Sequence, residues 1–351
     1  MRAEDFDYEL PEELIAQYPL KTREASRLLV LGRSDGTIAH RAFPDIKDYL
    51  HAGDLLVFND TRVIPARLFG RKESGGKVEL LITHKLGSNP SETDCLKSTQ
   101  RWQAMVRSSK ALKEGARIII GDNLSAEVIN KDSDGLWEVV LTGSDVSAAI
   151  KEYGALPLPP YIRREAEPLD SERYQTVFAS SDGAIAAPTA GLHFTPGIID
   201  ELKRAGVEVA YLTLHTGPAT FLPIRDGDLD GHSVPKEHYV IPEATGLAIV
   251  TARREGRRVV AVGSTSTRTL EAAFARGLDE PVLTGATDIF IRPGYDFNIV
   301  DAIVTNFHLP KSTLLMMMSA FAGRENLLKA YKKAVEMRYR FFSYGDCMFI
   351  G

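Results

Sequence analysis

Between residues 67 and 143 the apolar side chains come in short runs with no helical period, and no other stretch restricts the fold as much. The runs cover 66–70, 77–82, 102–106, 117–120, 124–129 and 137–141, with Gly, Asn, Asp and Ser between them. Short strands separated by turn residues predict a small barrel or sandwich. The polar stretch 87–100 reads as a loop within it. With 351 residues the chain has room for a second domain. The expected division is an inserted all-β domain at 62–153 inside a discontinuous domain of residues 1–61 plus 154–351.

The flanking chain has a different rhythm. Residues 26–31 and 37–40 predict a hairpin across a Gly-bounded turn, and 54–58 a buried strand. Pro11 predicts a short helix start, and the Pro-rich 156–161 an extended segment. Thr195-Pro196 opens a helix that runs to Gly206, with Thr as cap and Pro in the first turn. Strands follow at 207–214, 258–262 and 301–305, and helices at 247–255, after 263, at 312–322 and at 326–340. Strands alternating with helices predict an α/β main domain.

Several of these strands end in small polar residues plus His or Arg. The ends are Asn59-Asp60-Thr61-Arg62, the segment 215–221 beginning His215-Thr216-Gly217, Gly263-Ser264-Thr265-Ser266-Thr267-Arg268, and Thr305-Asn306-Phe307-His308. A fifth candidate is the turn from Ala187 through Thr189, Gly191 and His193 to Thr195. In open α/β sheets ligands bind beyond the carboxyl ends of strands, and free N–H groups at a helix start favour anions. Each run singly is also what a helix cap or a strand-ending turn requires.

Other chemistries find no support. There is no Gly-x-Gly-x-x-Gly fingerprint, Walker loop or Gly-x-Ser-x-Gly elbow. Cys95 and Cys347 are the two cysteines, far apart, which excludes a Cys-x-x-Cys site. His193, His215, His232, Glu237 and His308 lack ligand spacing apart from His232 with Glu237, so no metal is expected. The acidic N-terminus has no apolar signal core, and residues 314–322 are too short to span a bilayer. A soluble cytoplasmic protein with no membrane association and no obligate protein partner is expected. A net charge of −5 argues against a nonspecific nucleic-acid binder, yet leaves local basic patches open. Arg62, Arg67, Arg71 and Lys72 form such a patch at the expected domain junction. A metal-dependent hydrolase and a noncatalytic RNA-binding module are the competing readings.

The motifs taken together resemble the tRNA ribosyltransferase-isomerases of queuosine synthesis. They include Phe6-Asp7-Tyr8-Glu9-Leu10-Pro11, Asn59 to Leu68, Leu156 to Ile162, Arg173 to Phe178, Ala187 to Thr195, His215 to Phe221, Val262 to Glu271, Asp301 to Thr313 and Tyr339 to Asp346, in the family's order over nearly the whole chain. Two departures are Ala219 where Gly is usual and Pro235 where a second His is usual.

The resemblance implies an α/β domain with an inserted six-stranded antiparallel barrel. It implies transfer and isomerisation of the ribosyl group of S-adenosylmethionine onto 7-aminomethyl-7-deazaguanine at the wobble position of tRNA with a GUN anticodon. The product is epoxyqueuosine-tRNA, and adenine and methionine leave. S-adenosylmethionine is thus a substrate, with no recycled cofactor and no metal. Proton transfers in such a reaction suit His and carboxylates, so the catalytic candidates are His193, His215, His308, Asp60 and Glu237. The expected donor-binding set is Gly263, Ser264, Thr265, Ser266 and Arg268, with Thr189, Gly191 and Asn306. Arg62, Arg67, Arg71 and Lys72 are the expected tRNA contacts.

Overall fold

The computed structural model describes residues 1–87, 98–132, 135–217, 229 and 234–351. Most of the polar stretch 87–100, Cys95, Ala219, Phe221 and His232 lie outside the described residues. In chain order the strands are β1 (Arg27–Leu31), β2 (Ile38–Ala42), β3 (Leu55–Asn59), β4 (Thr61–Val63), β5 (Arg67–Lys72), β6 (Lys77–Leu86), β7 (Thr99–Ser108), β8 (Arg117–Gly121), β9 (Leu124–Lys131), β10 (Trp137–Gly143), β11 (Gly154–Ala155), β12 (Ser181–Ala184), β13 (Glu208–Leu214), β14 (Glu237–Val240), β15 (Val259–Val262), β16 (Thr284–Thr287), β17 (Ala302–Asn306) and β18 (Cys347–Ile350).

The larger sheet has the order β16-β14-β13-β3-β15-β17-β18-β1-β2. Its centre, β13-β3-β15-β17, is parallel. These strands are almost wholly apolar because both faces are covered. Alternation then sorts each strand between two cores: Leu55 and Val57 of β3 face one, Leu56 and Phe58 the other. β18 enters antiparallel to β17 and parallel to β1, joining the parallel block to the β1–β2 hairpin.

The six predicted β-runs close into an antiparallel barrel, β5-β6-β7-β10-β9-β8, through pairing of β5 with β8. Leu68, Leu80, Ile82, Ala104, Val128, Val139 and Leu141 fill it. Closure requires Gly70, because a Cβ there would stand 2.6 Å from Ile118 Cγ2 and 2.7 Å from the Ile119 carbonyl. The chain leaves the large sheet through β4, which pairs in parallel with β12.

Some elements differ from expectation. The 326–340 helix runs Arg324–Glu336 and stops before Arg338, whose φ of 54° is left-handed. The Pro11 start gives only the 3-10 turn Glu12–Leu14. The helix Val146–Tyr153, capped by Asp145, directly follows the barrel's last strand.

Candidate active site

The four parallel strands end at Asn59, Leu214, Val262 and Asn306, and the loops beyond three of them meet at one cleft. Its volume is about 650 Å³, the solvent-open mouth included. The helix Gly263–Ala273 begins at its floor, immediately after β15. Gly263 has a φ of 91°, so the chain turns from strand into helix within one residue and leaves its first N–H groups free for a ligand. Ser264 and Thr265 follow on the same wall, facing Thr189 and Ala190 of the 3-10 helix Thr189–His193. Asn306, Phe307 and His308 close another side. Tyr161, Phe342 and Ser343 add an aromatic and hydroxyl-bearing wall, with the Tyr161 and Phe342 rings 4.7 Å apart and Tyr161 Oη 2.6 Å from Ser343 Oγ.

Polar atoms in this wall are left unspent. Asn306 Nδ2 donates to the Phe342 carbonyl and to His193 Nε2, both at 3.1 Å. Asn306 Oδ1 is buried with no partner among the described residues, and so is Thr216 Oγ1. Both residues line the cleft. Buried polar atoms seldom stay unpaired, and at a cleft wall a ligand is the natural partner.

Of the catalytic candidates, only His308 lines the cleft. Its Nε2 lies 2.9 Å from Thr305 Oγ1, its N–H donates to Tyr331 Oη, and Tyr8 Oη donates to its carbonyl. Burial lowers its pKa to about 3, so it is a neutral imidazole. His193 sits one layer behind, between Ser26 Oγ at 2.8 Å on Nδ1 and Asn306 on Nε2. Since Nε2 accepts from the amide, its proton is on Nδ1. Burial, then the charges of Arg23 and Arg340, lower its pKa to about 3.

His215 and Asp60 belong to a second polar group, away from the cleft lining. His215 Nδ1 is 2.7 Å from Thr61 Oγ1, and its ring packs against Gly183, where a Cβ would come within 2.8 Å. Burial lowers its pKa, and the Asp60 charge opposes that. Asp60 accepts from Thr213 Oγ1 and Ser180 Oγ, each at 2.6 Å. Thr216, the neighbour of His215, is the residue that reaches the cleft.

Glu237 is buried and bridges Arg268 Nη1 at 2.5 Å to the Gly217 N–H at 3.0 Å. Arg268 does not line the cleft, and its Nε and Nη2 are unpartnered among the described residues. Ser266 and Gly191 are buried but do not line the cleft. Among the described residues no group of three or more His, Cys, Asp or Glu side chains is arranged to hold a metal, and no helix is long and apolar enough to cross a membrane.

The expected tRNA patch divides. Arg62 is tied to the Ala179 carbonyl and lies 3.5 Å from Asp182, while Arg67 lies 3.3 Å from Glu79. Arg71 and Lys72 lie farther along β5, on a barrel groove with Phe69 and Arg107. The sequence reading named Thr216 within the candidate strand end 215–221 but did not single out Ser26, Tyr161, Phe342 or Ser343 as site residues. Tyr161, Phe342 and Ser343 do fall within the quoted motifs, which was the available signal.

A family profile described as "Queuosine biosynthesis protein" matches residues 3–350. The chain is 53% identical, over the full length of both proteins, to an S-adenosylmethionine:tRNA ribosyltransferase-isomerase from Geobacter metallireducens. It is 52% identical to a protein of the same name from Citrifermentans bemidjiense, over 99% of each. A crystal structure of an S-adenosylmethionine tRNA ribosyltransferase from Thermotoga maritima is similar with a TM-score of 0.55 and 38% identity, over 99% of this chain and 100% of that one.

Proposed function

Because the chain belongs to the S-adenosylmethionine:tRNA ribosyltransferase-isomerase family of queuosine biosynthesis, and so is a transferase-isomerase enzyme, we propose that its cleft binds S-adenosylmethionine and receives a tRNA base carrying the aminomethyl group. In this reading the ribosyl group passes to the amine of 7-aminomethyl-7-deazaguanine at the wobble position of a GUN anticodon. It rearranges to the epoxycyclopentanediol of epoxyqueuosine, with loss of adenine and methionine. The observation that carries the reading is the single cleft at the parallel strand ends, with a bare helix start and unspent Asn306 and Thr216 oxygens.

The methionine carboxylate fits the N–H groups and hydroxyls at Gly263, Ser264 and Thr265, where the helix dipole favours an anion. Arg268 is already charge-paired with Glu237. Its role is then positional: through Glu237 it holds the Gly217 backbone next to Thr216. The rings of Tyr161 and Phe342 offer a face for adenine, and Asn306 Oδ1 an acceptor for its amino group.

The sulfonium acidifies the adjacent C5′ hydrogens, so the rearrangement can start from a base positioned on the cleft wall, without a metal. His308 is neutral and on the cleft wall. His215, with Asp60 nearby, lies outside the cleft lining, so its proposed part is to take the ammonium proton as the base enters, before the amine reaches the donor. His193 orients Asn306 from behind. Of Arg62, Arg67, Arg71 and Lys72, the proposed phosphate contacts are chiefly Arg71 and Lys72, since Arg62 and Arg67 face Asp182 and Glu79.

The test is incubation with S-adenosylmethionine and tRNA carrying 7-aminomethyl-7-deazaguanine, followed by mass analysis of the nucleosides. Epoxyqueuosine with one adenine and one methionine released is expected. Binding of both substrates with unchanged nucleosides would overturn the reading. Activity is expected to persist in chelator, because the sequence carries no ligand-spaced Cys/His set. Loss restored by one specific metal would refute that.

A further inference from the structure

Behind the cleft wall lies a second, shallow hollow open to solvent, lined by Arg23, Arg173, Ser26, His193 and Tyr344. It shares Ser343 with the cleft, and the His193–Asn306 hydrogen bond runs between the two. Arg23 and Arg173 are both on its wall, and Arg340 is close enough for its charge to bear on His193.

Among the described residues these three arginines are tethered by carbonyls and not by a carboxylate ion pair. Arg253, Arg254, Arg257 and Arg258 each pair with a carboxylate. Among the described residues Arg23, Arg173 and Arg340 have backbone carbonyls instead. Arg23 donates to Leu192 and Glu172 at 3.3 and 2.9 Å, and Arg173 to Leu20 and Lys21 at 2.8 and 3.2 Å. Arg340 donates to the Tyr18 carbonyl. Arg173 Nε and Arg340 Nη1 are buried with no acceptor among the described residues. The buried carboxylates nearby are committed: Asp170 to Arg164 and Tyr344, Asp346 to Arg27. Carbonyl tethers fix guanidinium direction without cancelling charge. Burial lowers the pKa of Arg23 and Arg340, and the charges of Glu172 and Asp346 oppose that without forming an ion pair; an anion taken from solvent offsets the remaining cost.

We propose that this hollow is a phosphate subsite for the tRNA strand that delivers its base to the adjacent cleft. The inference rests on the proposed function. A phosphodiester fits better than the carboxylate of S-adenosylmethionine, because that group already has the helix start at Gly263 inside the cleft. Planar guanidinium groups tethered on one side present their remaining N–H edges to a phosphate, the geometry for which Arg is suited.

The test uses Arg173→Gln and Arg23→Gln, with tRNA binding measured across a range of salt and S-adenosylmethionine binding by calorimetry. Expected is weaker tRNA binding by about tenfold, a salt slope shallower by about 1, and unchanged S-adenosylmethionine affinity. Arg173→Lys should recover part of the affinity, since it keeps the charge but not the fork. If the loss falls on S-adenosylmethionine affinity instead, the hollow is a carboxylate subsite and the proposal fails. Unchanged tRNA affinity and slope in both variants, with a wild-type enzyme that modifies tRNA, also overturns it. A wild-type enzyme that modifies no tRNA overturns the underlying function. Should the variants misfold, phenylglyoxal labelling of the wild type decides: protection of Arg23 and Arg173 by tRNA but not by S-adenosylmethionine is expected, and equal labelling with and without tRNA sinks the idea.

Discussion

Three histidines that look alike in sequence hold different positions in the protein. His193 and His308 are buried and neutral, with pKa values of about 3 against an ordinary 6.5. In the unfolded chain both take up a proton below pH 6.5, whereas in the folded chain neither does until about pH 3. Acid therefore favours unfolding, and stability is lost as pH falls through that window. The slope is about 1.4 kcal/mol per pH unit for each histidine. The melting temperature is expected to drop steeply from pH 6 to pH 4, and His308→Asn should make that limb visibly shallower; identical limbs in parent and variant would contradict the assignment. His215 differs, being partly exposed and held by Thr61. His215→Ala should melt near the parent temperature and lose turnover by about 10²–10⁴-fold in single-turnover assays, the range for a missing general acid or base. Near-parent turnover would leave it a structural residue. The sequence marked all three as candidates through their motifs. Which one reaches the cleft depends on contacts such as Ser26–His193, formed across 167 residues, that no local pattern encodes.

At the level of elements, the helix Gly263–Ala273 carries the most chemistry per residue. Its sequence signal, an apolar strand running straight into Gly-Ser-Thr-Ser-Thr-Arg, was legible because burial on both faces forces β15 to be wholly apolar and the turn to be small. Gly263→Ala introduces a Cβ that meets Ala190 Cβ at 3.6 Å and Thr265 Oγ1 at 3.7 Å, both ordinary contacts, so space is not the obstacle. The left-handed φ is, at about 1–2 kcal/mol. The expected outcome is at least tenfold weaker S-adenosylmethionine binding by calorimetry with tRNA affinity intact. Equal affinity would show that the helix start is not the donor site. Gly70→Ala is the contrasting case, because its Cβ meets Ile118 and the Ile119 carbonyl at the barrel seam. It should destabilise by about 1–3 kcal/mol in urea unfolding and leave S-adenosylmethionine binding alone. The six barrel strands were readable from alternation and turn residues. β18 was not, since four apolar residues after a turn fit several places and only the non-local slot between β17 and β1 decides. The Val146–Tyr153 helix carried a usable signal, Asp145 before Val146, Ala149 and Ile150, but it is short and adjoins a strand.

Across the whole molecule, the barrel touches the larger sheet at the β4–β12 pair and at His84 of β6, whose ring stacks on His238 of β14 at 4.4 Å. A tRNA that reaches the cleft therefore has basic groups available on both bodies. They are not equivalent. Arg62 already spends its guanidinium on Asp182 and the Ala179 carbonyl, and Arg67 lies against Glu79. Arg71 is exposed and Lys72 is tied only to carbonyls, beside Phe69, which is 55% exposed on the same barrel groove. Releasing counterions requires a cation that is not already neutralised, so the barrel groove should dominate the electrostatic part of tRNA binding. Replacing Arg71 and Lys72 together by Ala is expected to flatten the salt dependence of tRNA binding by about two phosphate contacts. Arg62→Ala should change it by much less than one, because that guanidinium is already turned to Asp182 and the Ala179 carbonyl. Binding isotherms at four or five salt concentrations measure both slopes. A larger effect from Arg62 than from the Arg71–Lys72 pair would move the tRNA off the barrel groove and onto the β4–β12 junction.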